Sequence, residues 1–221
     1  MLTMSTPWAT LGQMASPHRP RPLKKRPGRY HHGDLRRALL QEAVRVIQAQ
    51  GVDMLTLRSV GERLGVSRTA LYRHFTDKSA LLEAVAAEGF RMLRMQLLAA
   101  WGAGGAEEFT AMGIAYVRFA VDNPSHYRVM FGGLVRGHTD EALAEEATGA
   151  FQALVDAIVV LQRSGELRAD DPLQMARFIW ALVHGIAMLA IDGQIEHQGA
   201  TVDDVARFSL ERLRTGLGSD L

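Results

Sequence analysis

The chain has 221 residues, close to half of them apolar, and a formal net charge of +1. That length allows one large or two small domains, and the composition allows a real core. The absence of cysteine excludes disulfides, thiolate catalysis and cysteine-based zinc or iron–sulfur sites.

The net charge hides an asymmetry: residues 1–80 sum to +9 and the remainder to −8. A basic N-terminal part on an acidic remainder is the footprint of a nucleic-acid-binding module joined to something else. Chance clustering of solvated charges is the bland alternative. No apolar run reads as approaching the roughly 18 residues of a membrane span. The start, MLTMSTPWATLGQMASPHRP, lacks a basic segment followed by an apolar one. The expectation is a cytoplasmic protein with no membrane segment.

In chain order, residues 1–29 hold all but two of the prolines and the basic run Arg19, Arg21, Lys24, Lys25, Arg26 and Arg29. Such a stretch buries too little apolar surface to fold alone, so a disordered basic arm is expected. It either reaches DNA phosphate or the minor groove or is a plain leader. Asp34 caps a first helix to about Gln50, with Leu35, Leu39, Ala43 and Val46/Ile47 inward and Gly51 at its end. His31 and His32 precede it without a third ligand at a metal spacing, and read as surface or DNA-proximal residues.

The stretch Leu55 to Lys78 carries the sharpest signal. Thr56 is an N-cap type, and Val60 and Leu64 repeat on one helical face. Gly65 takes positive φ cheaply and ends the helix. Ser67 caps a second helix, Arg68 to Phe75, whose inner face is Leu71 and Phe75. Two short helices about a tight turn make a helix-turn-helix, in which the second helix enters the DNA major groove. Its outward residues are Arg68, Thr69, Tyr72 and Arg73: donors and an aromatic, suited to a polyanion.

Thr76 or Asp77 caps a long fourth helix to about Trp101. The glycine-rich GAGGA at 102–106 is the expected packing boundary. Further helices are expected from Glu107 to Asp122, where Asn123-Pro124 stops it, and from His126 to Phe131. Another starts at the Thr139-Asp140 cap and runs to Ser164-Gly165. Asp170-Asp171-Pro172 opens one running to about Ile191, and one more runs from Val202 to about Leu213. No alternating strand pattern is found. The fold class is all-α: about nine helices, with a three-helix DNA-binding part ahead of a larger helical part.

From Tyr30 to Val85 these elements read YHHGDLRRALLQEAVRVIQAQGVDMLTLRSVGERLGVSRTALYRHFTDKSALLEAV. The stretch resembles the DNA-binding domain of the TetR family of bacterial transcription regulators, through G-V-S-x-x-x-L-Y-x-H-F followed by D-K-x-x-L-L. The resemblance covers about residues 30–88. Trp180-Ala181-Leu182-Val183-His184-Gly185 resembles the Trp…His-Gly signature of one C-terminal subgroup. The resemblance implies a helix-turn-helix domain at 30–88 and an effector-binding and dimerisation domain at 89–217. It also implies a homodimer on a palindromic double-stranded DNA operator. A small-molecule effector would swing the fourth helix and release the DNA, with repression the default.

By position, Arg68, Thr69 and Arg73 are base-edge candidates, an arginine being able to grip guanine with two bonds. Tyr72 and Lys78 match the family's usual phosphate contacts, and Thr56 and Arg58 should also face phosphate. His74 matches a family histidine near DNA, or packs within the module. Trp101, Phe119, Phe131, Phe151, Trp180, His184 and Met188 are effector-pocket candidates, as apolar linings are the rule for such sites. Met92, Met95, Tyr127 and Met130 belong to the same wider set. Each is also an ordinary core residue by type. The last two helices, where Gly185, Ala187 and Ala190 allow close approach, are dimerisation candidates by analogy with the family.

An enzyme finds no support: there is no Gly-Lys pair for a P-loop, no G-x-S-x-G, and no acid three residues before a histidine. No cofactor or metal is called for. A DNA-binding architectural dimer without an effector is the remaining alternative.

Overall fold

The computed structural model describes residues 32–102, 104–135, 140–195 and 199–217. The expected arm at 1–29 and His31 lie outside the described residues, as do the side chains of His32 and Asp34. Among the described residues there are nine α-helices, one 3-10 turn and no strand. They are α1 (His32–Gln50), α2 (Leu57–Leu64), α3 (Arg68–Tyr72), α4 (Lys78–Trp101), α5 (Ala106–Asp122), α6 (Pro124–Phe131), α7 (Glu141–Arg163), α8 (Pro172–Ile191) and α9 (Val202–Leu217).

The helix starts follow local chemistry. Thr56, Ser67, Asp77, Asp140 and Asp171 each accept a backbone N–H of the following first turn, which satisfies one otherwise orphaned donor per helix. At the α2–α3 turn Gly65 has φ 66°, and Val66 N–H bonds Gly61 O at 3.0 Å. A side chain at that left-handed position would be strained.

Several boundaries differ from expectation. Helix α1 begins at His32, two residues ahead of the expected Asp34 cap. Helix α3 ends at Tyr72, with His74 and Phe75 N–H both bonding Leu71 O in a terminal turn. Phe75 is thereby turned into the core, 3% exposed, and Asp77 is free to cap α4. Pro124 does not merely stop α5: it is the first residue of α6, where its missing N–H costs nothing. Helix α9 runs on to Leu217.

The glycine-rich break is no packing boundary. Helices α4 and α5 fold back on each other around it, and Trp101 meets Phe109 edge-to-face at 6.4 Å. One continuous core runs from Leu35 to Leu213. Helix α4 packs on α1 near its start and on α5, α6 and α7 further along, while α8 packs on α5, α7 and α9. It spans the expected domain boundary at 88/89 as one unbroken helix.

Helix α8 corrects another expectation. It has 20 residues, with an 18-residue window at a mean hydropathy of 1.5, and so is long and apolar enough to cross a membrane by length and composition. Met175, Ala176, Ile179, Val183, Ile186 and Ala187 are buried in the core, while Leu173, Phe178 and Leu189 are exposed. The helix is apolar on two faces, which a search for one unbroken run does not register.

Candidate nucleic-acid interface and effector cavity

Two sites emerge, joined by α4. The first is the helix-turn-helix. Leu57, Val60, Gly61 and Leu71 bury its inner faces, leaving Thr56, Arg58, Arg68, Thr69, Tyr72 and Arg73 exposed. Tyr72 is 47% exposed, unusual for a large aromatic, and the Arg68 guanidinium lies 6.0 Å from its ring centroid. Arg58 is paired with Glu62 at 2.7 Å, and that carboxylate raises the arginine's pKa. The Thr56 hydroxyl is engaged in a reciprocal capping box with Ser59. His74 is half-buried. Lys78 points inward: its Nζ donates to Val52 O at 2.8 Å, tying the turn after α1 to the first residue of α4.

The second site is a cavity of about 370 Å³. Helix α4 supplies Phe90, Leu93 and Leu97, and α5 supplies Phe109, Met112, Gly113 and Tyr116. Phe131 comes from α6, Ala147, Ala150, Phe151 and Leu154 from α7, Arg177, Ile179, Trp180 and Val183 from α8, and Leu210 from α9. A more open outer chamber shares Phe90, Phe131, Ala147, Arg177 and Trp180 with it and adds Met130, Asp140, Leu143 and His184.

Of the expected pocket residues, Phe131, Phe151 and Trp180 line the inner cavity together and His184 lines the outer chamber. Phe119 is fully buried behind the wall. Trp101 packs on Phe109 and Met188 on the core, neither at the cavity. Met95 is 59% exposed. Sequence reasoning missed Phe90, Met112, Tyr116 and Arg177. A stripe at 109, 112 and 116 carried the signal for two of them, since that spacing is one helical face.

A hydrogen-bond chain lies in the wall. Trp180 Nε1–H donates to Tyr116 Oη at 3.0 Å, the Tyr116 and Tyr127 hydroxyls are 3.0 Å apart, and Tyr127 Oη is 2.7 Å from His184 Nδ1. Each hydroxyl has one proton to give, and a neutral imidazole has one acceptor nitrogen. With Trp180 already donating to Tyr116 Oη, both hydroxyl protons find acceptors when Tyr116 donates to Tyr127 and Tyr127 to His184 Nδ1, which puts the imidazole proton on Nε2. Burial lowers the His184 pKa and so keeps the ring neutral. Burial also pushes the Tyr116 hydroxyl up to about 12 and Tyr127 upward too.

Between the two sites, α6 meets α4 at Gly89. A Cβ there would fall 2.5 Å from Met130 Sδ and 3.3 Å from His126 Cβ. Beside it, His126 Nε2 is buried 3.6 Å from Glu88 Oε2, too far for a hydrogen bond. The imidazole nevertheless holds the Glu88 carboxyl below its ordinary value. Among the described residues no cluster of three or more His, Asp or Glu is placed to hold a metal.

Residues 39–85 match the family described as bacterial regulatory proteins, tetR family, and residues 109–213 match the tetracyclin repressor-like C-terminal domain. The chain belongs to the TetR family. A protein of unknown function from Rhodococcus sp. RHA1 has the same fold at a TM-score of 0.78 and 32% identity, over 87% of this chain and 100% of that one. A bacterial regulatory protein in the tetR family from Rhodococcus RHA1 shares the fold at a TM-score of 0.67 and 21% identity, covering 84% and 98% of the two chains. The HTH-type transcriptional regulator YobS of Bacillus subtilis is 21% identical over 84% of this chain and 93% of its own. Tetracycline repressors of class A and class C from Escherichia coli are 48% and 45% identical, but the matches span only 22% and 23% of their length. Each of those two matches spans under a quarter of this TetR-family chain as well.

Proposed function

We propose that this chain is a cytoplasmic, homodimeric transcriptional repressor, not an enzyme, released from a palindromic operator by a small effector. The observation that carries this is α4. Its first residue, Lys78, is tied to the turn between α1 and α2 by the bond to Val52 O, and Phe75, just ahead of it, is buried in the core with Leu71 of α3. Its Phe90, Leu93 and Leu97 form one wall of the cavity. An occupant therefore acts on the helix that holds the reading head, which a purely architectural dimer would not need. Residues 30–88 read DNA, and 89–217 bind effector and dimerise.

Arg68, Thr69 and Arg73 take the base edges, with Thr56, Arg58, Tyr72 and His74 about the phosphates. Lys78 has donors to spare for a phosphate beyond its carbonyl. A second copy covers the outer faces of α8 and α9, where Phe178 is 57% and Phe208 58% exposed and nothing lies within 4 Å of a Cβ built on Gly185. Exposed apolar residues in this number favour an interface.

Selection of bound sequences from random DNA, followed by ligand titration of the complex, tests the reading. A site with two half-sites about one helical turn apart is expected, with release on ligand binding. Binding without sequence preference, or a complex that no cavity-binding ligand dissociates, refutes it.

A further inference from the structure

Hydrogen-bond accounting separates the polar groups of the effector cavity into those already used and those still free. Trp180, Tyr116, Tyr127 and the Nδ1 of His184 are committed to one another. They have little left for a ligand. Arg177 differs. It stands one turn before Trp180 on α8, is exposed, and lines both chambers where they meet. Among the described residues it makes no ion pair or hydrogen bond. A guanidinium offers five donors, no acceptor and a permanent charge.

The inner chamber beyond Arg177 is hydrocarbon and aromatic: Leu93, Phe109, Met112, Phe151 and Val183 among others. Its volume is at the small end of ligand pockets, which limits an occupant to modest length. Resting on the effector reading of this cavity, we propose that its ligand is an apolar molecule with one anionic end group, of the medium-chain carboxylate class. The chain fills the inner chamber and the carboxylate pairs with Arg177. His184 adds to the same preference, since its remaining polar group is the Nε2–H donor. Asp140 is the acid of the outer chamber, but its Oδ1 accepts the Leu143 N–H at 2.7 Å and caps α7. Its charge already faces the positive end of that helix, which weakens its claim on a cationic ligand.

Decanoate, decanol and decyltrimethylammonium share one chain and differ in charge. Each is titrated into the full-length protein, below its aggregation concentration, with binding read by calorimetry. Decanoate is expected to bind about tenfold or more tighter than decanol, the worth of a charge-assisted bond. Arg177→Met removes that preference, bringing decanoate affinity down to that of decanol, while the melting temperature stays unchanged, because Arg177 is exposed and its aliphatic stem is retained. Arg177→Gln behaves alike. Equal affinities for decanoate and decanol, or a preference that survives in Arg177→Met, overturns the proposal and leaves the cavity standing as a ligand site. Tightest binding of the ammonium compound overturns it in favour of Asp140. Failure of all three to bind overturns it. If Ala147→Trp, which fills the shared wall, also leaves ligand-driven DNA release intact, the cavity reading falls as well.

Discussion

The Trp180–Tyr116–Tyr127–His184 chain makes a quantitative prediction about redundancy. In Tyr127→Phe two bonds disappear, but Tyr116 Oη lies only 3.3 Å from His184 Nδ1 and can donate there instead. One bond is lost on balance, about 1 kcal/mol. In Tyr116→Phe the bond to Tyr127 and the acceptor of Trp180 Nε1–H both go, about 2 kcal/mol on the same scale, less if water reaches the 37% exposed indole. Tyr127 still serves His184. In the double mutant all three bonds are gone and Nδ1 is an orphaned acceptor. That orphan costs a further 1–3 kcal/mol or so and appears in neither single mutant. The double mutant should therefore be destabilised by at least about 1 kcal/mol more than the sum of the singles. Urea unfolding at one fixed protein concentration, followed by far-UV circular dichroism, measures all four corners of the cycle. Additivity within about 0.3 kcal/mol would refute the assignment of a single acceptor shared between two tyrosines.

Other outcomes follow from the same geometry. Arg68→Ala and Tyr72→Ala are expected to weaken operator binding about tenfold each without changing unfolding midpoints, because both side chains are exposed; normal gel-shift affinity of the folded mutants would remove them from the interface. Gly89→Ala should destabilise by about 1–2 kcal/mol, although alanine is the better helix former by about 1 kcal/mol, because Met130 and His126 must give way. A melt showing higher stability would mean that the α4–α6 contact is looser than described. Stability should also fall on acidification in two stages. His184 has a folded pKa below its ordinary 6.5, so the unfolded chain binds the proton first and stability declines as pH drops below that value. Glu88, lowered from 4.5, loses its contribution as pH falls further, through its folded pKa. In His184→Gln the first stage should shrink, and an unaltered profile down to the carboxylate range would show that the ring is not held neutral.

Local chemistry was readable in the sequence and shared surfaces were not. The caps at Thr56 and Ser67 each depend on a residue and its next three neighbours and work as read, and of the pairs Thr76/Asp77, Thr139/Asp140 and Asp170/Asp171 the second residue is the cap. Pro124 was legible as an end but not as a beginning, because a proline that stops one helix and one that opens the next carry the same letter. Helix α5 shows why the cavity was harder. Phe109, Met112, Ile114, Tyr116, Val117, Phe119 and Ala120 are all buried, since α4, α6, α8 and α9 surround it. With apolar residues on every side, periodicity cannot say which face borders a void. So Phe119 read as a pocket residue and is core, while Tyr116 went unremarked and is the hub of the wall. Trp180 and His184 were found because a tryptophan and a histidine one turn apart stand out by type. Arg177, one turn earlier on that face, went unremarked, because an arginine on a helix carries no such signal by type.

The position of the cavity along α4 bears on how far an occupant can move DNA-binding residues. Lys78 and Phe90 are twelve positions apart on one unbroken helix, about 18 Å at 1.5 Å per residue. A tilt of about 5° about the Phe90 end therefore displaces the Lys78 end by about 1.6 Å over that length. Both copies of a dimer would move, so the separation of the two reading heads changes by up to twice that amount. Half-site spacing on DNA is fixed by the duplex, and arginine–base bonds do not tolerate an error of that size. The close approach of α6 at Gly89 makes such a tilt a transition between packings, because Met130 and His126 already touch the helix where it would turn. A core at crystal-like density shifts between discrete arrangements and does not bend gradually. In the proposed mechanism Gly89 would be the fulcrum: its lack of a side chain lets α4 and α6 lie close together, so that a small change in the cavity would reach the reading head.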